Sequence, residues 1–238
     1  MPTIEAIIDR QLRRWELEKT IRAGHGREEE PRTRFQPVIT VSRQRGSGGS
    51  IVAERVAERF HYTLLYRDLI ERICASAGTV RRIVESLDEH VKPQLTSWFE
   101  SILGTRYVDR SDYLRHLVET IRSIAELGGV VVVGRGANFI VGPDSGFHVR
   151  VVAPRELRIR RLMARDDRPE KEAAREIETS DHDRSGFIRK VYGRDIDDPD
   201  AYDLVLNTAH LSIETAATLI VNAAMEKFDG IGRDSHSH

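Results

Sequence analysis

The stretch that decides the fold is "VITVSRQRGSGGSIVAERVAERF", Val38 to Phe60. Residues 38–42 are a short apolar run rich in β-branched side chains, the middle is rich in glycine, and residues 50–60 have helical spacing. A buried strand, a glycine-rich turn and a helix in this order are typical of a phosphate-binding loop. Glycines let successive backbone N–H groups approach an anion at the positive end of the helix. The sequence therefore predicts a phosphate loop at residues 43–50.

This loop departs from the common pattern G-x-x-x-x-G-K-[ST]. In that pattern the lysine reaches the β- and γ-phosphates, and the hydroxyl holds magnesium. Aligned on Gly48 and Ser50, the chain has Gly49 in place of the lysine and Arg43 in place of the first glycine. Taken alone, so degraded a motif fits a phosphate site and a turn that binds nothing equally well.

The rest of the chain alternates between predicted strands and helices. Further apolar, branched runs predict strands at 61–66, 130–134, 147–153 and 203–208. Helical segments are predicted at 68–126 (with a break at 103–111), 155–191 and 212–228. Five strands joined by helical crossovers predict an α/β fold with a doubly wound, five-stranded parallel sheet. Ligands of such sheets bind at the carboxyl ends of the strands, where the glycine-rich loop lies.

The two ends of the chain carry separate features. Residues 3–22 place Ile4, Ile8, Leu12 and Trp15 at helical spacing and predict an amphipathic helix, followed by a polar linker up to residue 36. The apolar stripe of this helix packs on the main domain or forms a homodimer or partner contact. The polar segment 229–238 is expected to be a disordered tail.

Composition limits the class of protein. The 238 residues have a formal net charge of -1 although 32% are charged, which argues against non-specific nucleic-acid binding. The arginine-rich segment 155–165 keeps a nucleic-acid contact as a third interpretation. The single cysteine, Cys74, the absence of a long apolar run and an N-terminus unlike a secretory signal favour a cytoplasmic protein without membrane or disulfides.

Two further motifs bring a family resemblance. A predicted strand ends in "GRGANF" (134–139), and "SRQRGSGG" (42–49) precedes the first helix. Together they resemble the cytidylate kinase-like family of P-loop nucleoside monophosphate kinases, over about residues 37–227. The resemblance implies a kinase domain at 37–228, with an acceptor-binding insert at about 68–126 and an arginine-rich lid at about 155–191. It also implies ATP and Mg²⁺ as cofactors, and transfer of the γ-phosphoryl to a nucleoside monophosphate or similar small phosphorylated metabolite.

The resemblance assigns roles to individual residues. Residues matching the ATP-binding part are Arg45, Gly46, Ser47, Gly48, Gly49, Ser50 and Arg158, with Ser50 also at the magnesium-binding position. Residues matching the acceptor-binding part are Arg67, Arg135, Asp181 and Arg189. Arg43, Arg161 and Arg184 are candidates for the catalytic cations. Each also fits an ordinary ion pair; Arg67, for example, lies beside Asp68 at a helix start.

Two departures, one from true cytidylate kinases and one from the common P-loop pattern, bear on function. Gly136 stands where the aspartate of the cytidylate kinase "GRD" element reads cytosine, so specificity for cytosine does not carry over. Loss of the lysine is expected to lower the rate ~10²- to 10³-fold unless another cation replaces it. A guanidinium can do so, and Arg43 is the first candidate, before Arg45 and Arg184. The alternative function is a nucleotide-binding regulatory or assembly protein with weak or no kinase activity.

Overall fold

The computed structural model describes Arg13, residues 36–74 and residues 112–234. The chain divides into two compact units, Met1–Gln36 with Asp68–Gly128 and Pro37–Arg67 with Gly129–His238. Apart from Arg13, the predicted N-terminal helix and its linker lie outside the described residues, as does the predicted break at 103–111. The homodimer contact through that helix therefore stays a prediction.

A five-stranded sheet forms the centre of the second unit. Its strands are β1 (Val38–Arg43), β2 (Thr63–Tyr66), β3 (Val130–Val133), β4 (Gly146–Val152) and β5 (Leu204–Asn207). They lie in the order β2-β3-β1-β4-β5, and every neighbouring pair is parallel. This confirms the predicted doubly wound sheet. Because β1 lies between β3 and β4, the end of β1 is the centre of the carboxyl edge.

Seven α-helices accompany the strands in the described ranges. They are α1 (Gly49–Phe60), α2 (Arg67–Cys74), α3 (Asp112–Leu127), α4 (Ala137–Val141), α5 (Arg155–Asp166), α6 (Glu170–Tyr192) and α7 (Ile213–Asp234). The core of the second unit joins the valines and isoleucines of β1, β3 and β4 to Val52 and Val56 of α1 and Ile220 of α7. In the first unit, α3 buries Leu117, Ile121 and Ile124, which recur at helical spacing.

Helix boundaries differ from the sequence prediction in three places. The predicted helical segment 155–191 is two helices, because Pro169 lacks an N–H and Asp167 adopts a left-handed conformation (φ 48°). The short helix α4 was not predicted; it begins directly after Gly136, which has a φ of 66°. The last helix continues to Asp234, into the segment expected to be a disordered tail, because glycine weakens a helix without ending it.

His148 of β4 is buried with both ring nitrogens in hydrogen bonds. Its Nε2 lies 2.8 Å from the carbonyl oxygen of Gly142, and its Nδ1 lies 2.8 Å from the hydroxyl of Thr40. A carbonyl oxygen only accepts, so Nε2 carries the proton and Nδ1 accepts from the hydroxyl. Burial lowers the pKa of His148 below 6.5. The neutral imidazole is therefore the form that fits the fold.

This burial predicts a pH dependence of stability. Below the unfolded-state pKa of 6.5, the unfolded chain binds a proton that the folded chain rejects, so the free energy of unfolding falls as the pH falls. The slope from this group approaches about 1.4 kcal/mol per pH unit. Urea unfolding of the wild type and of His148→Gln between pH 8 and 5 measures it. A stability difference between the two proteins that is constant with pH would contradict the prediction.

Candidate functional site

The phosphate loop, residues 43–50, joins β1 to α1 and is held by its own side chains. Ser47 is fully buried; its Oγ donates to the carbonyl of Gln44 (2.9 Å) and accepts from the N–H of Gly49 (3.3 Å). The side-chain oxygen of Gln44 accepts from the N–H of Ala153 at 3.1 Å. Gly46 and Gly48 have φ of 79° and 82°, which favour glycine. The loop is thus fixed before any ligand arrives.

Arginines of α5 brace the loop through its carbonyl groups. Arg158 donates to the carbonyl of Arg45 (3.2 Å) and to Asp181. Arg161 donates to the carbonyl of Ser47 (3.1 Å) and to the hydroxyl of Thr208 (2.9 Å). These contacts occupy loop carbonyls but leave the N–H groups of Gly46 and Gly48 without a hydrogen bond to any described residue. Arg158 and Arg161 therefore position the loop in this structure.

Asp181 lies against the phosphate loop. One carboxylate oxygen accepts from the N–H of Arg45 at 2.9 Å, and the other pairs with Arg158. Arg184, one turn further along α6, lies 3.7 Å from the same carboxylate. Both carboxylate oxygens of Asp181 thus already have partners in the loop and in the arginines of α5 and α6. The predicted contact of Asp181 with a ribose stays a prediction.

The side chain of Arg43 fills the space beside Gly49, the position of the lysine in the common P-loop pattern. A Cβ added at Gly49 would lie 2.6 Å from the Cβ of Arg43, and one at Gly134 would lie 2.6 Å from its Nη1. The Arg43 side chain therefore extends across Gly49 and reaches the end of β3 at Gly134. A Cβ at position 49 would also lie 3.0 Å from the Cβ of Val151, so a lysine there would overlap the side chains of both Arg43 and Val151.

The guanidinium of Arg43 is buried among like charges. Its Nε is buried without a hydrogen-bond partner, and no carboxylate of the described residues pairs with it. Burial, followed by the charges of Arg184, Arg45 and Arg67, lowers its pKa to about 10. Burial and the charges of Arg45, Arg150 and Arg67 also lower the pKa of Arg184, against the opposing effect of Asp181. We call these five residues the arginine cluster; its excess positive charge favours a bound anion.

A cavity of about 230 Å³ opens beside the cluster at the ends of β1 and β4. Its lining includes Arg43, Gln44, Arg150, Asp181, Arg184 and Asp197, and we call it the arginine cavity. The sequence prediction missed Arg150, which lies inside β4 with its side chain 5% exposed. A charged residue within an otherwise apolar strand was the available signal.

At the end of β3, three successive residues adopt left-handed conformations. Gly134, Arg135 and Gly136 have φ of 90°, 55° and 66°. The guanidinium of Arg135 lies 4.9 Å from the ring centre of Phe187, and its carbonyl accepts from the hydroxyl of Tyr192 at 2.7 Å. A Cβ at Gly136 would lie 2.3 Å from the Tyr192 ring. The ring therefore occupies the place in which the aspartate side chain of a "GRD" element would begin.

Other predicted residues are placed as follows. Arg67 is the first residue of α2, and its charge acts on Arg43 and Arg184. Arg45 pairs with Glu176 at 2.5 Å. Arg189 is exposed and, within the described ranges, its side chain makes no hydrogen bond or ion pair with the cluster. Five residues along a helix turn the side chain by about 140°, which directs Arg189 away from Arg184. Ser50 lies in the first turn of α1.

The described part of the chain lacks a grouped set of metal ligands and a membrane-spanning helix. No three side chains of His, Cys, Asp or Glu are grouped there to hold a metal ion. No described helix combines the length and apolar character needed to cross a membrane.

A parallel sheet of this order, a glycine-rich loop after its first strand and arginines of α5 and α6 beside that loop are typical of a P-loop kinase. The model of the cytidylate kinase-like family matches residues 38–210. The chain belongs to this family and is a nucleotide kinase, that is, a phosphotransferase.

Two curated relatives agree with this assignment, and a solved structure shares the fold. The chain is 30% identical over 194 residues to a cytidylate kinase of Staphylothermus marinus, covering 80% of this chain and 97% of that protein. It is 28% identical over 181 residues to a cytidylate kinase of Pyrobaculum islandicum, covering 75% and 88%. A crystal structure of an uncharacterized protein from Eubacterium ventriosum shares the fold, with a TM-score of 0.65 and 21% identity over 79% of this chain and 97% of that one.

The contact between Gly136 and Tyr192 predicts a steric penalty that a matched glycine does not have. Gly193 has nearly the same φ (64° against 66°), but nothing lies within 4 Å of a Cβ added there. Both alanine variants carry the left-handed strain, and only Gly136→Ala overpacks the Tyr192 ring. We expect Gly136→Ala to lose about 1–3 kcal/mol more unfolding free energy than Gly193→Ala in urea titrations. Equal losses would show that the ring moves freely.

Proposed function

We propose that this protein transfers the γ-phosphoryl group of ATP to a nucleoside monophosphate or a similar small phosphorylated metabolite. The observation that carries the proposal is the buried guanidinium of Arg43, which has no carboxylate partner among the described residues and is surrounded by Arg184, Arg45 and Arg67. At neutral pH a group with a pKa of about 10 stays charged. Such a site favours phosphate groups, and most of all a transition state that spreads charge over phosphoryl oxygens.

The phosphate loop fits the phosphates of the donor. The N–H groups of Gly46 and Gly48 have no partner among the described residues, and α1 begins at Gly49 with its positive end towards the loop. The donor set also fits Mg²⁺, which keeps most of its waters and needs one or two protein ligands besides the phosphates. The Ser50 hydroxyl would be such a ligand. Magnesium would neutralise charge on the β- and γ-phosphates.

The strand order supports a division between donor and acceptor. Arg43 ends the central strand β1, whereas Arg67 and Arg135 follow β2 and β3 on one side of it. We assign the acceptor phosphate to that side. An oxygen of the acceptor phosphate forms a bond to the γ-phosphorus as the bond from that phosphorus to the bridging oxygen breaks, and ADP leaves. Arg43 stands between the two phosphates and takes the part of the loop lysine.

The base of the acceptor lacks the carboxylate contact that the GRD element supplies in true cytidylate kinases. Tyr192 fills the space beside Gly136, so no carboxylate is available there to accept from the amino group of cytosine. A site that has lost this hydrogen-bond partner should discriminate weakly between bases. The acceptor is therefore recognised mainly by its phosphate.

Magnesium-dependent ATP turnover against a panel of nucleoside monophosphates tests the function. We expect ADP production that requires an acceptor, with at most modest preference for CMP. Arg184→Ala should lower it ~10²-fold or more, since a partly buried cation for the phosphoryl oxygens is lost. Arg55→Ala, an exposed arginine of α1, is the matched control and should leave turnover unchanged. ATP binding without phosphorylation of any acceptor would instead favour the nucleotide-binding regulatory protein.

An exchange of side chains between positions 43 and 49 tests the role of Arg43. Arg43→Gly should lower kcat/KM ~10²- to 10³-fold by removing the cation. Gly49→Lys alone should also be poorly active, because its Cβ would overlap the Arg43 side chain. The double variant restores G-x-x-x-x-G-K-S and should exceed both single variants by ~10-fold or more. Steady-state kinetics measure this, and thermal unfolding checks that each variant folds. If the loss of kcat/KM in the double variant equals the product of the losses in the two single variants, the proposed role of Arg43 as the replacement of the lysine is wrong.

A further inference from the structure

Arg150 is a buried charge that the phosphate loop does not use. It lies inside β4, paired in register with Ser42 of β1, and its side chain is 5% exposed. Burying an arginine within a parallel sheet is unfavourable unless partners or a ligand compensate its charge. The groups around Arg150 therefore indicate whether its charge is compensated within the protein or by a ligand.

The partners of Arg150 hold its orientation but compensate its charge incompletely. Its Nη1 donates to the hydroxyl of Ser42 (2.8 Å), and its Nη2 donates to Asp197 (2.5 Å). The guanidinium lies 5.9 Å from the ring centre of Tyr202. Asp197 is 66% exposed, so its carboxylate remains largely hydrated and is a weak partner for a buried cation. If Arg150 served only stability, we would expect the carboxylate that pairs with it to be buried as well.

The open side of Arg150 faces the arginine cavity, which it shares with Arg43 and Arg184. These three guanidinium groups come from β4, β1 and α6, and the charge of Arg150 acts on Arg184. In the strand order, Arg150 lies on the β4 side of Arg43, opposite the proposed acceptor contacts on the β2 and β3 side. The cavity thus offers three cations, against the two carboxylates of Asp181 and Asp197, to an anion that reaches past the phosphate loop.

We propose that the arginine cavity receives the terminal phosphoryl group of a nucleoside triphosphate, and that Arg150 is a further catalytic residue that binds one of its non-bridging oxygens. This deepens the proposed function and rests on it. The incoming oxygen takes a place beside Asp197 on the guanidinium, whose fork can hold both. ADP has no γ-phosphoryl, so Arg150 contributes to the affinity for ATP and not to the affinity for ADP.

Isothermal titration of the full chain with ADP and with the non-transferable β,γ-methylene analogue of ATP tests this assignment. In Arg150→Met the affinity for the analogue should fall ~10- to 100-fold, the loss expected for one charge-assisted hydrogen bond, while that for ADP changes less than about threefold. Arg59→Met is the matched control, because Arg59 also bonds one hydroxyl (Thr218, 2.6 Å) and one carboxylate (Glu214, 2.7 Å). It should leave both affinities unchanged.

A second variant keeps the test decisive if Arg150→Met does not fold. Asp197→Asn removes one negative charge from the mouth of the cavity and should raise the affinity for the analogue relative to ADP, on the order of threefold or more. The decisive quantity is the ratio of the affinity for the analogue to the affinity for ADP. If both variants fold and both keep the wild-type ratio, Arg150 does not bind the γ-phosphoryl. If only Asp197→Asn folds, an unchanged ratio in that variant leads to the same conclusion.

These titrations also separate the two proposals. A shifted ratio in a protein that phosphorylates no acceptor supports Arg150 as a γ-phosphoryl contact and rejects the proposed transfer. Acceptor phosphorylation with an unshifted ratio keeps the transfer and rejects the role of Arg150.

Discussion

The positive charge buried at the carboxyl edge of the sheet is the constraint on which the site depends. Carboxylates pair with part of this charge: Glu176 contacts Arg45, Asp197 contacts Arg150, and Asp181 contacts Arg158 and Arg184. Arg43 has no carboxylate partner among the described residues. Backbone carbonyls also hold arginines here without cancelling their charge: Arg184 donates to the carbonyl of Arg43 (2.8 Å), Arg161 to that of Ser47 (3.1 Å) and Arg158 to that of Arg45 (3.2 Å). A carbonyl fixes a guanidinium by its dipole and leaves the net charge for a ligand. The cluster is therefore preorganised for phosphate before phosphate binds.

The departures from the common P-loop pattern at Gly49 and from true cytidylate kinases at Gly136 have the same physical origin. At Gly49 and at Gly136 the backbone lacks a side chain because a side chain from elsewhere fills the space, Arg43 in the first case and Tyr192 in the second. Neither glycine is simply a missing residue. At the first position the side chain that fills the space belongs to Arg43, at the opposite end of the loop from the lysine position of the common pattern. At the second position the Tyr192 ring fills the space, and its hydroxyl also donates to the carbonyl of Arg135 (2.7 Å).

The sequence predicted what depends on local pattern and missed what depends on distant partners. Runs of branched residues located all five strands, because burial on both faces selects such runs wherever they occur. Pro169 could have located the break between α5 and α6, since its effect is local. Arg150 could not be assigned, because its partners Ser42 and Asp197 lie 108 and 47 residues away. The loop contact of Asp181 and the outward direction of Arg189 likewise depend on how α6 lies on β1.

The state of the cations helps to distinguish a kinase from a protein that only binds nucleotides. A binding protein gains most from a site whose charge is already balanced in the free state, because unbalanced buried charge destabilises the fold. Here Arg43 remains cationic at neutral pH, with a pKa of about 10, and no described carboxylate pairs with it. An unpaired buried cation of this kind stabilises a transition state most when negative charge develops at a position that carries none in the ground state. The proposed transfer between two phosphates would create that situation midway between them, and Arg43 lies at the end of the central strand.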